Sequence, residues 1–259
     1  MILAFDIGNT NIVIGGIEGE QISFLTRIST HLSKTEAEYA VLIKNLLEIY
    51  HVNPRSIEGS IVSSVVPPLN NIIISVVELI TGEAPLVVGP GIRTGLNISG
   101  DPKELGADLV VAAVAAMQKY PGENLCLLDM GTATTISVVD KKGLFRGVII
   151  YPGVMVSFDA LASRTAQLPR ISFDEPKQVI GTTTVDSMQS GLIYGNAAML
   201  DGLIDRVEAE LGEKCVVVAT GGLSSKVVPH CRRKIVLDED LLLDGLRILY
   251  ERNRKPRKV

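Results

Sequence analysis

An α/β fold that uses one supersecondary unit twice is predicted by three observations. An apolar, β-rich run closes on Asp6-Ile7-Gly8 near the start, and another closes on Asp129-Met130-Gly131 about half a chain later; small polar residues and a further β-branched run follow each. Behind each opening, short strand-like runs alternate with segments of helical period. Of the 259 residues, 46% are hydrophobic and 21% charged, enough to bury the cores of two modest domains and too apolar for a disordered chain. The repeat places a boundary near Tyr120, dividing the chain into 1–119 and 120–259, with the last helix free to pack back on the first half.

The elements follow in order. Residues 2–5 form a strand that ends in Asp6-Ile7-Gly8-Asn9-Thr10-Asn11, and 12–14 and 22–25 complete an antiparallel meander around Gly15-Gly16 and Glu18-Gly19-Glu20. Thr35-Glu36-Ala37-Glu38 has the spacing of a capping box, and Ala40, Val41, Ile43, Leu46, Leu47 and Tyr50 continue it at helical period. Residues 60–66 are β-branched and stop at Pro67-Pro68, which cannot donate to a ladder; 69–80 then read as a helix and 86–88 as a strand. Asp101-Pro102 supplies a cap and a first-turn proline, so 103–119 read as a helix, buried because alanine and valine occupy nearly every face.

Tyr120-Pro121-Gly122-Glu123-Asn124 breaks the pattern, and residues 125–128 restart it as a strand running into Asp129-Met130-Gly131-Thr132-Ala133-Thr134-Thr135. A second strand at 136–139, a turn at 140–143 and a third strand at 144–150 repeat the opening meander. Residues 153–168 and 196–211 have helical period, 214–219 form a strand into Thr220-Gly221-Gly222, and 238–252 close the chain as a helix.

Composition excludes several classes. A net charge of -4 offers no general attraction to nucleic acid or anionic membrane, so neither is expected as a partner. The basic run Arg252, Arg254, Lys255, Arg257 and Lys258 reads as a solvated chain end. Cys126, Cys215 and Cys231 are odd in number and widely spaced, which fits thiols in a reducing compartment; with no signal-like start and no long apolar span, a cytoplasmic location is expected. His31, His51 and His230 are too scattered for a zinc site, and neither GxxxxGK[ST] nor GxGxxG occurs.

The repeated corner carries the chemistry. A glycine after the strand lets the backbone turn and approach a ligand, the following amides and hydroxyls offer donors to phosphate, and the aspartate holds the cation that accompanies it. One such corner is an ordinary β-turn; two, each bearing an acid, suit a metal–nucleotide polyphosphate, where phosphoryl transfer rests on positioning and charge neutralisation. Thr220-Gly221-Gly222 reads as a strand-to-helix turn whose glycines would also let an adenine or ribose lie on the backbone. Asp108, early in a helix of Leu109, Val110, Val111, Ala112, Ala113 and Val114, is an acid in an apolar setting; it is either a helix-start acid or a base that accepts a hydroxyl proton.

These residues, with Ser63-Ser64-Val65-Val66-Pro67-Pro68, Gly106-Ala107-Asp108, Pro152-Gly153, Leu168-Pro169 and Val185-Asp186-Ser187-Met188-Gln189-Ser190-Gly191, resemble the type III pantothenate kinase family over nearly the whole chain. The resemblance implies two ribonuclease H-like domains with mixed five-stranded sheets flanked by helices, within the acetate and sugar kinase, chaperone ATPase and actin superfamily. It also implies a homodimer that phosphorylates the primary hydroxyl of pantothenate with ATP, the first step of coenzyme A synthesis. By the same resemblance Asp6, Ile7, Gly8, Asn9, Thr10 and Asn11 bind the ATP phosphates, with Asp6 also holding a divalent ion, Mg2+. Gly131 and Thr132 contact ATP, together with Gly221 and Gly222, and Asp129 holds a monovalent cation, K+ or NH4+. Asp108 is the general base, and Gly106, Ala107, Leu109 and Thr184 line the pantothenate site.

The chain departs from the family pattern on the acceptor side. The usual Gly-x-Asp-Arg is Gly106-Ala107-Asp108-Leu109, a tyrosine upstream falls near Ser99, the glycine pair before Pro152-Gly153 is Arg146-Gly147, and the Lys-Asn before Thr184 is Thr182-Thr183. A carboxylate-bearing acceptor thus loses a guanidinium that Arg146 or Arg93 would have to replace. Two alternatives stay open at this point: a catalytically weak nucleotide-binding paralogue with a regulatory role, and a kinase of the same fold for another small alcohol.

Overall fold

The computed structural model describes residues 1–101 and 104–254. It divides into two compact units, one formed by Met1–Ala115 with the described residues from Asp240 onward, the other by Ala116–Glu239.

In the first unit β1 (Ile2–Ile7), β2 (Asn11–Glu18) and β3 (Gln21–Ser29) form the antiparallel meander. α1 (Glu36–Ile49) follows, opened by the expected box: Thr35 Oγ1 accepts from the Glu38 amide while the Glu38 carboxylate accepts from the Thr35 amide at 2.7 Å. β4 (Gly59–Ser64) lies parallel to β1, and Pro67, whose missing N–H costs nothing in a first turn, starts α2 (Pro67–Thr81). β5 (Leu86–Val87) and β6 (Asn97–Ile98) are two-residue strands. The sheet order is β3-β2-β1-β4-β5. Alternation along β1 sends Leu3, Phe5 and Ile7 to one face, where they pack with Val62, Ile73, Val76 and Val77 under α1 and α2. That leaves Ala4 and Asp6 on the other face.

α3 (Ala107–Lys119) begins later than the periodicity of 103–119 predicts: its first turn hangs from the Gly106 carbonyl, which accepts from the Val110 amide at 3.2 Å. Pro102 and Lys103, read as the helix start, lie outside the described residues, as do Lys255, Arg257 and Lys258 of the basic end.

The second unit repeats the plan. β7 (Leu125–Met130), β8 (Ala133–Val139) and β9 (Leu144–Pro152) form a meander. α4 (Val154–Arg164), α5 (Thr184–Leu211), β10 (Val216–Thr220), the short α6 (Ser224–Val227) and β11 (Val236–Leu237) follow. β10 is parallel to β7 and β11 parallel to β10, so this unit's own strands run β9-β8-β7-β10-β11, the order of the first sheet. Even the irregularities correspond. The register of each meander slips once between its second and third strands, after Gly16 in one and after Val138 in the other; Gly16 faces Leu3, three residues before Asp6, and Val138 faces Cys126, three before Asp129.

Two further helices differ from their sequence pattern. α4 ends at Arg164 rather than reaching residue 168, because Thr165 is extended and its hydroxyl donates back to the Leu161 carbonyl at 3.0 Å. α5 starts twelve residues before the expected 196 because Thr183 caps it, accepting from the Asp186 amide. Gly191 and Gly195 hide this stretch in the sequence but bring no clash and only a propensity cost. α7 (Leu241–Asn253) packs on β1 and β4, where the Tyr250 hydroxyl donates to the Glu58 carbonyl at 3.2 Å.

The far end of α5 is tied by charge. Asp201, 4% exposed, accepts from the Arg232 and Arg233 amides at 2.9 and 3.0 Å. Burial opposes ionisation of Glu208, yet hydrogen bonds from Arg233, Lys214 and the Cys215 amide outweigh it and hold its carboxyl down at about 2. Since this lies below the ordinary 4.5, the stabilisation is present above pH 4.5 and is lost as pH falls toward 2. Urea midpoints should therefore fall through that window in the wild type and fall less in Glu208→Gln, which starts lower.

Candidate active site

The first corner is closed by its own backbone. The Gly8 amide donates to the Asn11 carbonyl at 2.9 Å, and Thr30, just past the end of β3, clamps it from behind, its amide donating to the Thr10 carbonyl at 2.9 Å and its hydroxyl to the Gly8 carbonyl at 2.6 Å. Asn9, Thr10 and Asn11 are exposed, whereas Asp6 is half-buried where β1 leaves the sheet. The side-chain hydroxyl of Ser63, paired in register with Asp6, is fully buried and has no hydrogen-bond partner.

Asp108 belongs to this same neighbourhood. The Val65 amide donates to the Ile7 carbonyl at 3.0 Å, fixing the end of β4 to the corner. A Cβ placed on Gly106 would stand 3.6 Å from Val65 Cγ1 and 2.5 Å from Asp108 Oδ1, so the backbone before α3 is pressed between them. Asp108 Oδ1 accepts from the Leu109 amide at 2.8 Å. Burial raises the Asp108 carboxyl above its ordinary 3.8, with the amides of Leu109 and Asp108 itself pulling the other way. In the first unit Val65 thus links two segments, tied to the Asp6–Gly8 corner through the Ile7 carbonyl and lying against Gly106 two residues before Asp108, a carboxyl of raised proton affinity.

In the second unit Asp129, also half-buried, sits between Thr135 on β8 and Thr220 on β10. The corner is tighter than the first, the Gly131 amide donating to the Ala133 carbonyl at 3.0 Å. Gly221 and Gly153 hold it from two sides. Gly221 has φ +93°, and a Cβ there would lie 2.6 Å from Met130 N and 2.7 Å from Asp129 Oδ1; one on Gly153 would lie 2.2 Å from the Thr132 carbonyl oxygen. Gly221 is therefore demanded by the fold itself, as its reading as a strand-to-helix turn expects, while Gly222 has open space about it. The service of Gly153 to the corner has no sequence signal beyond its place after Pro152.

Thr184 opens α5 in the wall of a cavity of about 780 Å³, in company with Tyr151, Ser157, Thr182, Thr183 and Asn196. Arg146 is not placed to serve the corner end of its meander: it lies six residues from Pro152, the partner of Ala133, and faces Asp140 at 3.7 Å. Arg93 is exposed, its backbone pinned by Asn253.

Among the described residues no group of three or more His, Cys, Asp or Glu could hold a metal ion. A hard divalent cation at Asp6 fits the donor set only if phosphate oxygens and waters complete its shell, as Mg2+ prefers. No helix among the described residues is long and apolar enough to cross a membrane.

Comparison with known proteins accords with this geometry. The family model described as type III pantothenate kinase matches residues 2–206. A type III pantothenate kinase of Syntrophus aciditrophicus is 44% identical over 254 residues, covering 98% of this chain and 100% of the relative. One from Geobacter sulfurreducens is 43% identical over 256 residues, with the same coverage of each. Among solved structures, the activator of the 2-hydroxyisocaproyl-CoA dehydratase from Clostridium difficile with bound ADPNP aligns with a TM-score of 0.55 at 12% identity, over 100% of this chain and 99% of that one. Component A of the (R)-2-hydroxyglutaryl-CoA dehydratase of Acidaminococcus fermentans gives 0.55 at 15%, over 95% and 94%. These likenesses show that the chain shares its fold with both proteins.

Proposed function

The chain belongs to the type III pantothenate kinase family, and from that premise we propose how its residues carry out ATP-dependent phosphorylation of pantothenate in coenzyme A biosynthesis. The backbone and side chains at Gly8, Asn9, Thr10 and Asn11 bind the ATP phosphates. Gly131 and Thr132 add donors, with Gly221 and Gly222 beside them. Asp6 holds Mg2+, which supplies charge neutralisation to the phosphates, and Asp129 holds K+ or NH4+. Asp108 accepts the proton of the primary hydroxyl as it attacks the γ-phosphoryl, and Gly106, Ala107, Leu109 and Thr184 contact pantothenate.

The observation that carries this reading is the junction of Asp108 with the Asp6 corner through Gly106, Val65 and Ile7. A half-buried carboxylate of raised proton affinity in the neighbourhood of the Asp6–Gly8 turn supports the reading of that turn as the phosphate corner. Coupled ADP release, measured with Mg2+ and K+ present, tests it: pantothenate should stimulate release strongly, and no stimulation would overturn it.

Leu109 stands where the family carries arginine. If no other cation meets the pantothenate carboxylate, Leu109→Arg should restore a charged hydrogen bond worth about 1.5–3 kcal/mol, lowering the pantothenate KM about ten- to a hundredfold with the ATP KM unchanged. An unchanged pantothenate KM would mean that another group already serves.

We also take the protein to be a cytoplasmic homodimer of two-domain chains, the last helix joining the first domain. The homodimer is supported by apolar side chains left on the second unit: Ile150, Val156, Leu161 and Ile180 are 69%, 46%, 47% and 82% exposed. Light scattering should give twice the chain mass, and Ile180→Glu with Leu161→Glu should lower it.

A further inference from the structure

Ser63 is 0% exposed, and its Oγ has no hydrogen-bond partner. A buried hydroxyl without a partner destabilises a fold, so one that serves no other purpose is disfavoured. Its position is specific. β4 runs parallel to β1 with Ser63 opposite Asp6 and Val62 opposite Phe5. Val62 and Phe5 both enter the core beneath α1 and α2, so alternation turns Ser63 and Asp6 together to the other face as adjacent side chains on strands about 4.8 Å apart. In the second unit a hydroxyl also borders the acid, though from the antiparallel side: Thr135 on β8 pairs with Asp129, and its Oγ1 is buried without a partner.

From this juxtaposition we propose that Ser63 is a positioning residue for the cation–nucleotide load at Asp6. Its hydroxyl becomes hydrogen-bonded when that load is present, through the Asp6 carboxylate or a water of the cation shell, and so orients the carboxylate. The inference rests on the reading of Asp6 as the Mg2+–ATP corner and adds to it a residue to which neither the sequence pattern nor the family resemblance gives a role. A hard cation bound chiefly through substrate phosphates keeps several waters, and a hydroxyl next to its single protein carboxylate is suited to fix one of them.

Ser60 provides the control. It lies on the same strand and is buried with an unpartnered Oγ, but its register partner is Leu3, on the face away from Asp6. Melting temperatures of wild type, Ser63→Ala, Ser63→Thr and Ser60→Ala would be compared without ligand, with ADP in EDTA and with Mg2+–ADP, alongside calorimetric affinities for Mg2+–ADP.

Ser63→Ala should melt at or above the wild-type temperature without ligand, because an unsatisfied polar group has gone. Its Mg2+–ADP affinity should fall about three- to tenfold, its affinity for ADP in EDTA should be unchanged, and Ser63→Thr should recover part of the loss. Ser60→Ala should bind Mg2+–ADP as the wild type does. The inference is overturned if Ser63→Ala binds Mg2+–ADP normally, if its loss persists in EDTA, or if Ser60→Ala loses as much. If the wild type itself shows no Mg2+-dependent binding, it is the assignment of Asp6 that fails.

Discussion

Asp108→Asn should lower kcat with pantothenate by about 10²–10⁴ while leaving Mg2+–ATP binding unchanged. The amide has nearly the shape of the carboxylate and can still accept from the Leu109 amide, but it cannot take up a proton. Stability should move the other way. Burial raises the Asp108 carboxyl, meaning that the folded protein disfavours the charge relative to the unfolded chain; the folded state is favoured most when the group is protonated, and that advantage is lost as pH rises. Replacing the charge with a neutral amide at neutral pH should leave the melting temperature equal or higher. Activity lost with stability kept or gained is the signature of a group held for chemistry. The wild-type kcat profile should also lose rate as pH falls through a value above 3.8, and this limb should be missing from the residual activity of the variant.

The second large effect is structural. Gly221→Ala introduces a Cβ 2.6 Å from Met130 N at φ +93°, so the new methyl meets backbone, which cannot swing away, in a conformation that L residues resist. The left-handed cost of about 1–2 kcal/mol and overpacking of about 1–3 kcal/mol should together remove about 2–5 kcal/mol from the second unit. Because the displaced atoms belong to the corner that carries Asp129, nucleotide affinity should fall with stability. Gly222→Ala, with open space around it, should cost less than about 1 kcal/mol. Urea unfolding of the two variants, side by side, separates the demand of the fold at Gly221 from any shared ligand role.

Much of the fold was legible in the chain because its signals are local. The strand into Asp-x-Gly, the capping box at Thr35 and the proline stop at Pro67 each occupy a few residues, and the double occurrence of the first announces the two meanders β1-β2-β3 and β7-β8-β9. The early start of α5 was hidden because Gly191 and Gly195 interrupt its periodicity, and whether a helical glycine is tolerated depends on what surrounds it. β6 and β11 are two residues each, too short to alternate visibly. Within the site, Asp6, Asp108 and Asp129 could be picked out as acids in apolar or glycine-rich settings. Gly153 could not, since its role is an approach to the Thr132 carbonyl from a distant strand end, and Ser63 could not, since a hydroxyl is conspicuous only once its lack of a partner is known. Arg146 carried a charge that composition could count, but only the register of β9 shows that it lies at the turn end beside Asp140.

The most direct test of the account is the fate of the γ-phosphoryl group. Purified protein given ATP, Mg2+, K+ and pantothenate should form one phosphopantothenate for each ADP, with the phosphorus on the primary hydroxyl by mass and 31P NMR, and Asp108→Asn should form almost none. ADP accumulating without phosphopantothenate, or phosphate appearing only on a different alcohol, would contradict it.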